Sequence, residues 1–250
     1  MTPYWRSEDG RAAIYCGDAL EALRHMADSC VAALVTDAPY GSSKTSIGSW
    51  HTHGRRGAPK TWTSDFGNWD VFDPSWISEA AQVLRDGTAL IAFCPDWAIG
   101  RMKEAGETAG LRWRQTWYWR KPNPPMTFRG VLQFAVEPMV YFAKGMHAVR
   151  VGNTGRAHNV FEYSFPTDPN RRYHPNQKPV DLMRHILRLV MPTGGTVLDC
   201  FAGSGSTGVA AMREGFGCIL IEQDERYCDI AVERLKRELR QLRLPLEADV

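Results

Sequence analysis

The chain has 250 residues, of which 44% are hydrophobic and 23% are charged, and its formal net charge at pH 7 is +2. These values are typical of a folded globular protein and exclude a fibrous repeat or a disordered tail. No apolar run approaches the ~20 residues of a membrane-spanning helix, so we expect no membrane-embedded segment. The N-terminus has no apolar signal core, and the six cysteines include no C-x-x-C pair. We therefore expect a cytoplasmic protein with reduced thiols, no disulfide framework and no metal site.

Short apolar segments alternate with helical patterns along the chain. Four of these segments have the composition of buried parallel strands: 31–36, 88–94, 195–200 and 217–222. Helical patterns begin at Asp73-Pro74, at Pro179 and at Glu225. The alternation predicts an α/β fold with a doubly wound, mostly parallel sheet.

Two segments interrupt this alternation. Residues 41–70 and 144–173 show little periodicity, and segments of this length are usually functional loops or insertions. Residues 101–121 and 144–178 each carry six basic and two acidic side chains. This excess of positive charge fits either a surface for a polyanion or two solvated faces. Both irregular segments are compatible with insertions on one sheet, which predicts a single domain.

A glycine-rich turn follows the apolar segment 195–200. Gly203, Gly205 and Gly208 match G-x-G-x-x-G, and Glu222 comes nineteen positions after Gly203. This pattern also fits a dinucleotide site. However, Asp199 places a carboxylate at the turn, where it would repel a pyrophosphate and attract an ammonium group. The turn therefore favours S-adenosylmethionine (AdoMet), whose ribose hydroxyls suit Glu222.

The tetrad Asp37-Ala38-Pro39-Tyr40 follows the first predicted strand. It lies at a strand's carboxyl end, where open α/β sheets bind ligands. Its sequence resembles the D-P-P-Y tetrad of DNA amino-methyltransferases. In that chemistry Asp37 and the Ala38 carbonyl accept the two hydrogens of an exocyclic amino group, so that the nitrogen lone pair points at the AdoMet methyl group. Tyr40 offers a ring on which an extruded base stacks.

Ala38 stands where that family usually has proline. The backbone carbonyl survives the change, and what is lost is a fixed φ angle, typically worth ~0.4–1 kcal/mol of pre-organisation. We expect a less rigid turn, and an inactive variant remains the alternative.

The order of the two motifs extends the resemblance. Asp37 precedes Gly203 by 166 residues, which resembles the circularly permuted β-class of DNA N6-adenine/N4-cytosine amino-methyltransferases. Four further segments are similar to segments of that family: 14–20, 119–124, 174–179 and 221–227. The resemblance implies one Rossmann-like methyltransferase domain over residues 1–250. Its expected parts are a catalytic half (12–143), a short target-recognition insertion (144–173) and a cofactor half (174–243).

The same resemblance implies an AdoMet site built from several parts of the chain. Asp18 is expected near the cofactor's adenine, Lys178 near its methionine end and Glu222 at its ribose. The other expected cofactor-binding residues belong to the glycine-rich turn: Asp199, Phe201, Gly203, Ser204, Gly205 and Thr207.

Contacts with double-stranded DNA are expected from aromatic and basic residues. Residues 111–121 alternate as a strand does, with Trp113, Trp117 and Trp119 on one face. We expect Trp113 and Trp117 in the core, whereas Trp119 and Asn123 are placed to reach the target base. The candidate phosphate contacts are Lys44, Arg55, Arg56, Lys60, Arg171 and Arg172. The 41–70 segment is expected to close over the DNA.

The resemblance therefore implies a site-specific DNA methyltransferase, and by analogy with that family the Asp that opens the tetrad, in place of Ser, implies adenine N6 as the target. Cytosine N4 is the alternative target. Three other classes stay open: a DNA-binding protein without turnover, a dinucleotide oxidoreductase, and an RNA or protein methyltransferase. The tetrad argues against the oxidoreductase, and the motif order argues against the last class. Homodimers are common in the resembled family and a cognate restriction enzyme is a conceivable partner, but the sequence decides neither.

Overall fold

The computed structural model describes residues 1–41, 71–125, 132–151, 157–168, 173–174 and 176–243. Within them lies a nine-stranded sheet with the strand order β1-β2-β9-β8-β3-β4-β6-β5-β7. The strands are β1 (Trp5–Arg6), β2 (Ala12–Cys16), β3 (Val31–Asp37), β4 (Leu84–Phe93), β5 (Arg112–Arg120), β6 (Val136–Lys144), β7 (Val160–Glu162), β8 (Thr196–Asp199) and β9 (Gly217–Glu222). The helices are α1 (Ala19–Arg24), α2 (Trp76–Val83), α3 (Ile99–Thr108), α4 (Val180–Val190), α5 (Ser206–Arg213) and α6 (Glu225–Arg243).

The centre of the sheet is parallel and covered on both faces. Strands β2, β9, β8, β3 and β4 are parallel neighbours, whereas β1 and β6 pair antiparallel to the strands beside them. Helices α4, α5 and α6 pack into the core on one face, and α1, α2 and α3 pack into the core on the other. The doubly wound, mostly parallel sheet predicted from the sequence is confirmed.

The apolar runs form central strands because both of their faces are buried. The β3 residues from Val31 to Val35 are fully buried, and so are those of β4 from Ala89 to Phe93. A strand covered by helices on both sides needs apolar side chains at every position, not at every second one. The predicted helix at Pro179 is also confirmed, because α4 begins at Val180 and buries Leu182, Ile186 and their neighbours on one face.

The far edge of the sheet differs from the prediction. The segment 144–173 was expected to be irregular, but β7 lies within it and pairs in parallel with β5. Strand β6, which was not predicted, lies between β4 and β5. The segment 144–173 therefore contributes a strand to the main sheet. Its role as a target-recognition insertion, and its boundaries, stay a prediction.

A β-bulge in β5 changes which face its tryptophans occupy. The register with β6 shifts between Trp113 and Gln115. Trp113 then packs edge-to-face on Phe142, in the core on the α1–α3 face, whereas Trp117 and Trp119 lie in the core on the α4–α6 face. The prediction of one shared face is wrong for Trp113, because an extra residue in a strand inverts the alternation beyond it.

Candidate active site

One cavity of about 500 Å³ lies at the carboxyl ends of the central strands. It is lined mainly by residues 17–20, 37–40, 176–178, 199–204 and 222–224. The first described helix after β3 is α2, on one face of the sheet, whereas the helix after β8 is α5, on the other face. Neighbouring strands that diverge in this way open a crevice, which is where doubly wound sheets bind ligands. The sheet thus brings the tetrad and the glycine-rich turn to one site.

The glycine-rich turn requires its glycines for two reasons. Gly203 and Gly205 have φ angles of 51° and 77°, in the left-handed region that side chains disfavour. A Cβ atom on Gly205 would also lie 2.9 Å from the Cβ atom of Ala231 on α6. The turn therefore packs closely on α6 while α5 begins at the next residue.

Asp199 fastens this turn to β3. Its Oδ1 accepts hydrogen bonds from the Thr36 hydroxyl (2.6 Å) and the Phe201 backbone N–H (3.2 Å), and its Oδ2 accepts one from the Thr207 hydroxyl (2.5 Å). Burial raises the pKa of Asp199 to about 6, against the effect of these donors. The carboxylate thus sits on the cavity wall as a buried acceptor joining two strands and a helix.

Glu222 occupies the opposite side of the turn. Its Oε2 accepts the Gly203 backbone N–H at 2.7 Å, and its Oε1 accepts that of Asp224 at 2.9 Å. Burial raises the pKa of this carboxyl. The Gln223 backbone N–H is a third donor to this carboxyl. A carboxylate has about four acceptor sites, so the group still has capacity to accept a hydrogen bond from a ligand's hydroxyl.

Eight of the nine predicted cofactor residues line the cavity: Asp18, Lys178, Asp199, Phe201, Gly203, Ser204, Thr207 and Glu222. The ninth, Gly205, lies behind the turn against α6. Asp18 also caps α1 by accepting the Glu21 backbone N–H. Gln177, which belongs to the segment 174–179 that resembles the family's, also lines the cavity and accepts the Ser204 hydroxyl at 3.4 Å.

The tetrad begins at the last residue of β3, Asp37, and lines the cavity. Asp37, Ala38, Pro39 and Tyr40 all line it. The Tyr40 hydroxyl lies 2.7 Å from Asp37 Oδ1 and 2.8 Å from Glu137 Oε1. These contacts hold the hydroxyl end of the ring in place. Ala38, whose backbone carbonyl is the second acceptor in the predicted chemistry, is the next residue after Asp37 and lines the same cavity.

Lys178 has partners that the sequence did not indicate. Its Nζ lies 2.5 Å from Asp37 Oδ2 and 3.0 Å from Glu137 Oε1. The predicted place at the methionine end of a cofactor remains compatible with its position on the cavity wall, but its charged head is bound to the tetrad. Glu137, on β6, carries a second ion pair, to Lys121 at 2.7 Å. No sequence signal marked Glu137, because the strand that bears it was not predicted.

These buried ionisable groups shift one another's pKa values. Burial raises the pKa of Asp37, and Lys178 opposes that rise. Burial likewise disfavours an ionised Glu137, but Lys178 and Lys121 outweigh it and hold the pKa of Glu137 at about 2. The pKa of Lys178 is raised despite its burial, because both carboxylates stabilise its charge. Burial and the same two acids raise the pKa of Tyr40, so its hydroxyl stays protonated.

The predicted DNA contacts have mixed outcomes. Trp119 is 1% exposed, donates its indole N–H to the Tyr163 carbonyl (2.8 Å) and stacks on Phe165. The expectation that it reaches a base is therefore wrong for this structure, because a core side chain presents no surface to DNA. The Asn123 amide bonds both backbone groups of Phe165, and its role towards DNA stays a prediction. The remaining candidates lie outside the described residues, as do residues 42–70 of the segment expected to close over the DNA: Lys44, Arg55, Arg56, Lys60, Arg171 and Arg172.

The described residues contain neither a candidate membrane span nor a candidate metal cluster. None of the helices there is long and apolar enough to cross a membrane. No group of three or more His, Cys, Asp or Glu residues in the same part of the chain is arranged to hold a metal ion.

Comparison with known proteins identifies the architecture. The family model N6_N4_Mtase, described as DNA methylase, matches residues 31–233. The Type II methyltransferase M2.MboI of Moraxella bovis is 23% identical over 262 residues, covering 96% of both chains. The M1.HpyAVI–SAM complex matches with a TM-score of 0.70 at 22% identity, over 90% of this chain and 98% of its own. PvuII DNA methyltransferase, described as cytosine-N4-specific, matches with a TM-score of 0.66 at 16% identity, over 94% and 95%. The methyltransferase fold expected from the sequence is confirmed.

Proposed function

Because this chain belongs to the N6_N4_Mtase family of DNA methylases, we propose that it transfers a methyl group from AdoMet to the N6 amino group of adenine at a specific DNA site. The observation that carries the proposal is the single cavity shared by the tetrad and the glycine-rich turn. One wall offers acceptors for an amino group, and another offers a glycine turn and carboxylates for a cationic cofactor. A reaction between two ligands needs this adjacency.

The cavity suits AdoMet in size and chemistry. Its volume of about 500 Å³ falls within the range of ~300–1,000 Å³ that is common for small-molecule sites. Glu222 presents acceptor capacity for a ribose diol, and Phe201 adds an apolar ring, held edge-to-face by Trp76. The Asp199 carboxylate, which has hydrogen-bond donors but no cation bonded to it among the described residues, favours positive charge in the cavity and disfavours a pyrophosphate. When bound there, AdoMet supplies a methyl group on a positively charged sulfur.

The tetrad prepares the amino nitrogen to receive that group. Asp37 already accepts one donor on each oxygen, from Tyr40 and from Lys178, and each oxygen keeps a further lone pair. One lone pair of Asp37 accepts one amino hydrogen of the base, and the Ala38 carbonyl accepts the other. This arrangement localises the nitrogen lone pair and orients it, which is catalysis by positioning and by electrostatics.

Adenine is proposed over cytosine because of the residue that opens the tetrad. The resemblance to D-P-P-Y tetrads, with Asp37 rather than Ser, supports N6 of adenine. The fold does not discriminate between the two, since it is shared with a protein described as cytosine-N4-specific. The proposed extrusion of the base follows from the geometry of duplex DNA, in which the amino group is out of reach.

Nucleoside mass spectrometry tests the proposal directly. Unmethylated genomic DNA is incubated with the purified protein and AdoMet, digested to nucleosides and analysed for methylated bases. N6-methyladenine is the expected product. N4-methylcytosine would correct the base and keep the chemistry, and no methylated base, with AdoMet binding intact, would contradict the proposal.

The Asp37→Ala variant is the matched control for this experiment. It removes the carboxylate acceptor and leaves the glycine-rich turn untouched, so we expect methyl transfer to fall by at least about 10²-fold. The AdoMet dissociation constant, measured by calorimetry, should stay close to that of the unchanged protein. Normal turnover by this variant would refute the role assigned to Asp37.

A further inference from the structure

Asp37 has to be ionised to act as an acceptor, yet its surroundings favour the neutral acid. A protonated carboxyl would place its own hydrogen where the amino group of the base needs a lone pair. Burial at the end of β3 favours that protonated form. Apart from Lys178, the described titratable groups that influence Asp37 or are influenced by it are Tyr40, Glu137, Asp199 and Cys94. None of these four supplies positive charge.

Lys178 supplies the opposing charge. Among the described residues it is the cation bonded to Asp37, at 2.5 Å, and its side chain is 8% exposed. The lysine stem comes from the residues just before α4, and Nζ lies 4.8 Å from the centre of the Phe93 ring. A buried opposite charge at this distance strongly stabilises the ionised carboxylate.

Glu137 and Lys121 extend the arrangement away from the cavity. Glu137 Oε1 binds Lys178 at 3.0 Å, and its Oε2 binds Lys121 at 2.7 Å. The series Asp37, Lys178, Glu137, Lys121 alternates in sign and is neutral in sum. Glu137 thus holds the lysine in place, and at the same time it repels the charge on Asp37.

We propose that Lys178 and Glu137 are positioning residues for methyl transfer, with Lys178 keeping Asp37 in its hydrogen-bond-accepting form and Glu137 anchoring Lys178. This inference rests on the proposed function and deepens it. Lys178 therefore acts on the amino group of the base through Asp37, in addition to any contact with the cofactor.

The test follows the pH dependence of the chemical step. Single-turnover methyl transfer is measured between about pH 5.5 and 9.5, at saturating AdoMet and DNA, for the unchanged protein and for Lys178→Met. Removing the cation should raise the pKa of Asp37, so the acid limb of the rate profile should move to higher pH. We expect a shift of about 1–3 pH units, which is the range that a close opposite charge produces. Activity should recover as the pH rises. Adding Glu137→Gln to Lys178→Met should move the limb back to lower pH, because the repulsion on Asp37 is then removed.

A matched control separates this effect from a loss of structure. Lys144, at the other end of β6, donates hydrogen bonds to the carbonyls of Ala81 and Leu84 at 2.7 Å and lies far along the strand from the cavity. Lys144→Met should lower the melting temperature without moving the acid limb. Should Lys178→Met fail to fold, Glu137→Gln alone carries the test. The amide oxygen of glutamine can still accept the hydrogen bond that anchors Lys178, whereas the repulsion on Asp37 is removed, so the limb should move to lower pH.

Carboxyl ¹³C NMR of the protein without cofactor or DNA gives an independent readout. The Asp37 resonance, identified by its absence in Asp37→Asn, should titrate at higher pH in Lys178→Met than in the unchanged protein. A uniform fall in rate with an unmoved acid limb and an unmoved Asp37 titration would overturn the inference while leaving methyl transfer established. An unchanged protein that makes no methylated base at any pH would instead contradict the proposed function, and this inference with it.

Discussion

Gly205 occupies a position at which any side chain meets two separate obstacles. Its φ angle of 77° costs an L-residue about 1–2 kcal/mol. A Cβ atom there would also lie 2.9 Å from Ala231 on α6, closer than such atoms normally approach. The glycine-rich turn and α6 must therefore move apart to accommodate a side chain at position 205.

Gly215→Ala is the matched control for Gly205→Ala. Gly215 has nearly the same φ angle, 76°, but a Cβ atom there meets nothing within 4 Å. Urea denaturation should show a larger loss of unfolding free energy for Gly205→Ala, and only that variant should weaken AdoMet binding in calorimetry. Gly205→Val, with its larger side chain, should abolish binding. Equal effects at the two glycines would show that backbone strain alone explains both.

Strand β5 shows how one element can mislead sequence reasoning. Its alternation suggested three tryptophans on one face, with Trp119 reaching DNA, but the bulge divides them between the two faces of the sheet. A bulge leaves no mark in a pattern of apolar residues, because it depends on how the strand registers with β6. Both the strand and its burial were predictable, whereas its register was not.

The structure makes Trp119 a core residue, and that assignment can be tested. Trp119→Ala removes a ring that is 1% exposed, so we expect a loss of about 3–5 kcal/mol in unfolding free energy by urea denaturation. Trp97→Ala, at a side chain that is 53% exposed, should change stability by less than about 1 kcal/mol. Weaker DNA binding with unchanged stability for Trp119→Ala would restore the interpretation drawn from the sequence.

Contiguous motifs were predictable, and contacts across the fold were not. The tetrad and the glycine-rich turn could be identified because each carries its chemistry within a few residues of a predicted strand. The ion pair of Lys178 with Asp37 joins positions 141 residues apart. Glu137 reaches the same cluster only through the antiparallel placement of β6 beside β4. A single sequence contains the residues of such a cluster but not the register that assembles it.

At the scale of the whole molecule, the site depends on which strands are neighbours and not on their order in the chain. Strands β3 and β8 are adjacent, with Leu34 opposite Leu198, although 163 residues separate Thr36 from Asp199. The hydrogen bond between those two side chains therefore joins the half that carries the tetrad to the half that carries the cofactor turn. We therefore predict that a substitution in the half that carries the tetrad alters the binding of AdoMet by the half that carries the cofactor turn.

Thr36→Val tests this coupling between the halves. Valine matches threonine in shape and removes the hydroxyl, so Asp199 loses one of its donors in a buried site, at a cost of about 1–3 kcal/mol. Thr36 does not line the cavity, yet we expect weaker AdoMet binding, because Asp199 then holds the turn less firmly. Thr36→Ser, which keeps the hydroxyl, should restore affinity.

Thr88→Val is the matched control, because the Thr88 hydroxyl is also buried but donates locally, to the Arg85 carbonyl at 2.7 Å. It should lower the unfolding free energy without changing the AdoMet dissociation constant. If Thr36→Val and Thr88→Val affect calorimetric binding alike, the hydrogen bond across β3 and β8 serves only the stability of the sheet. A selective effect at Thr36 would mean that the first half of the chain, which carries the tetrad, also sets the affinity of the cofactor turn formed by the second.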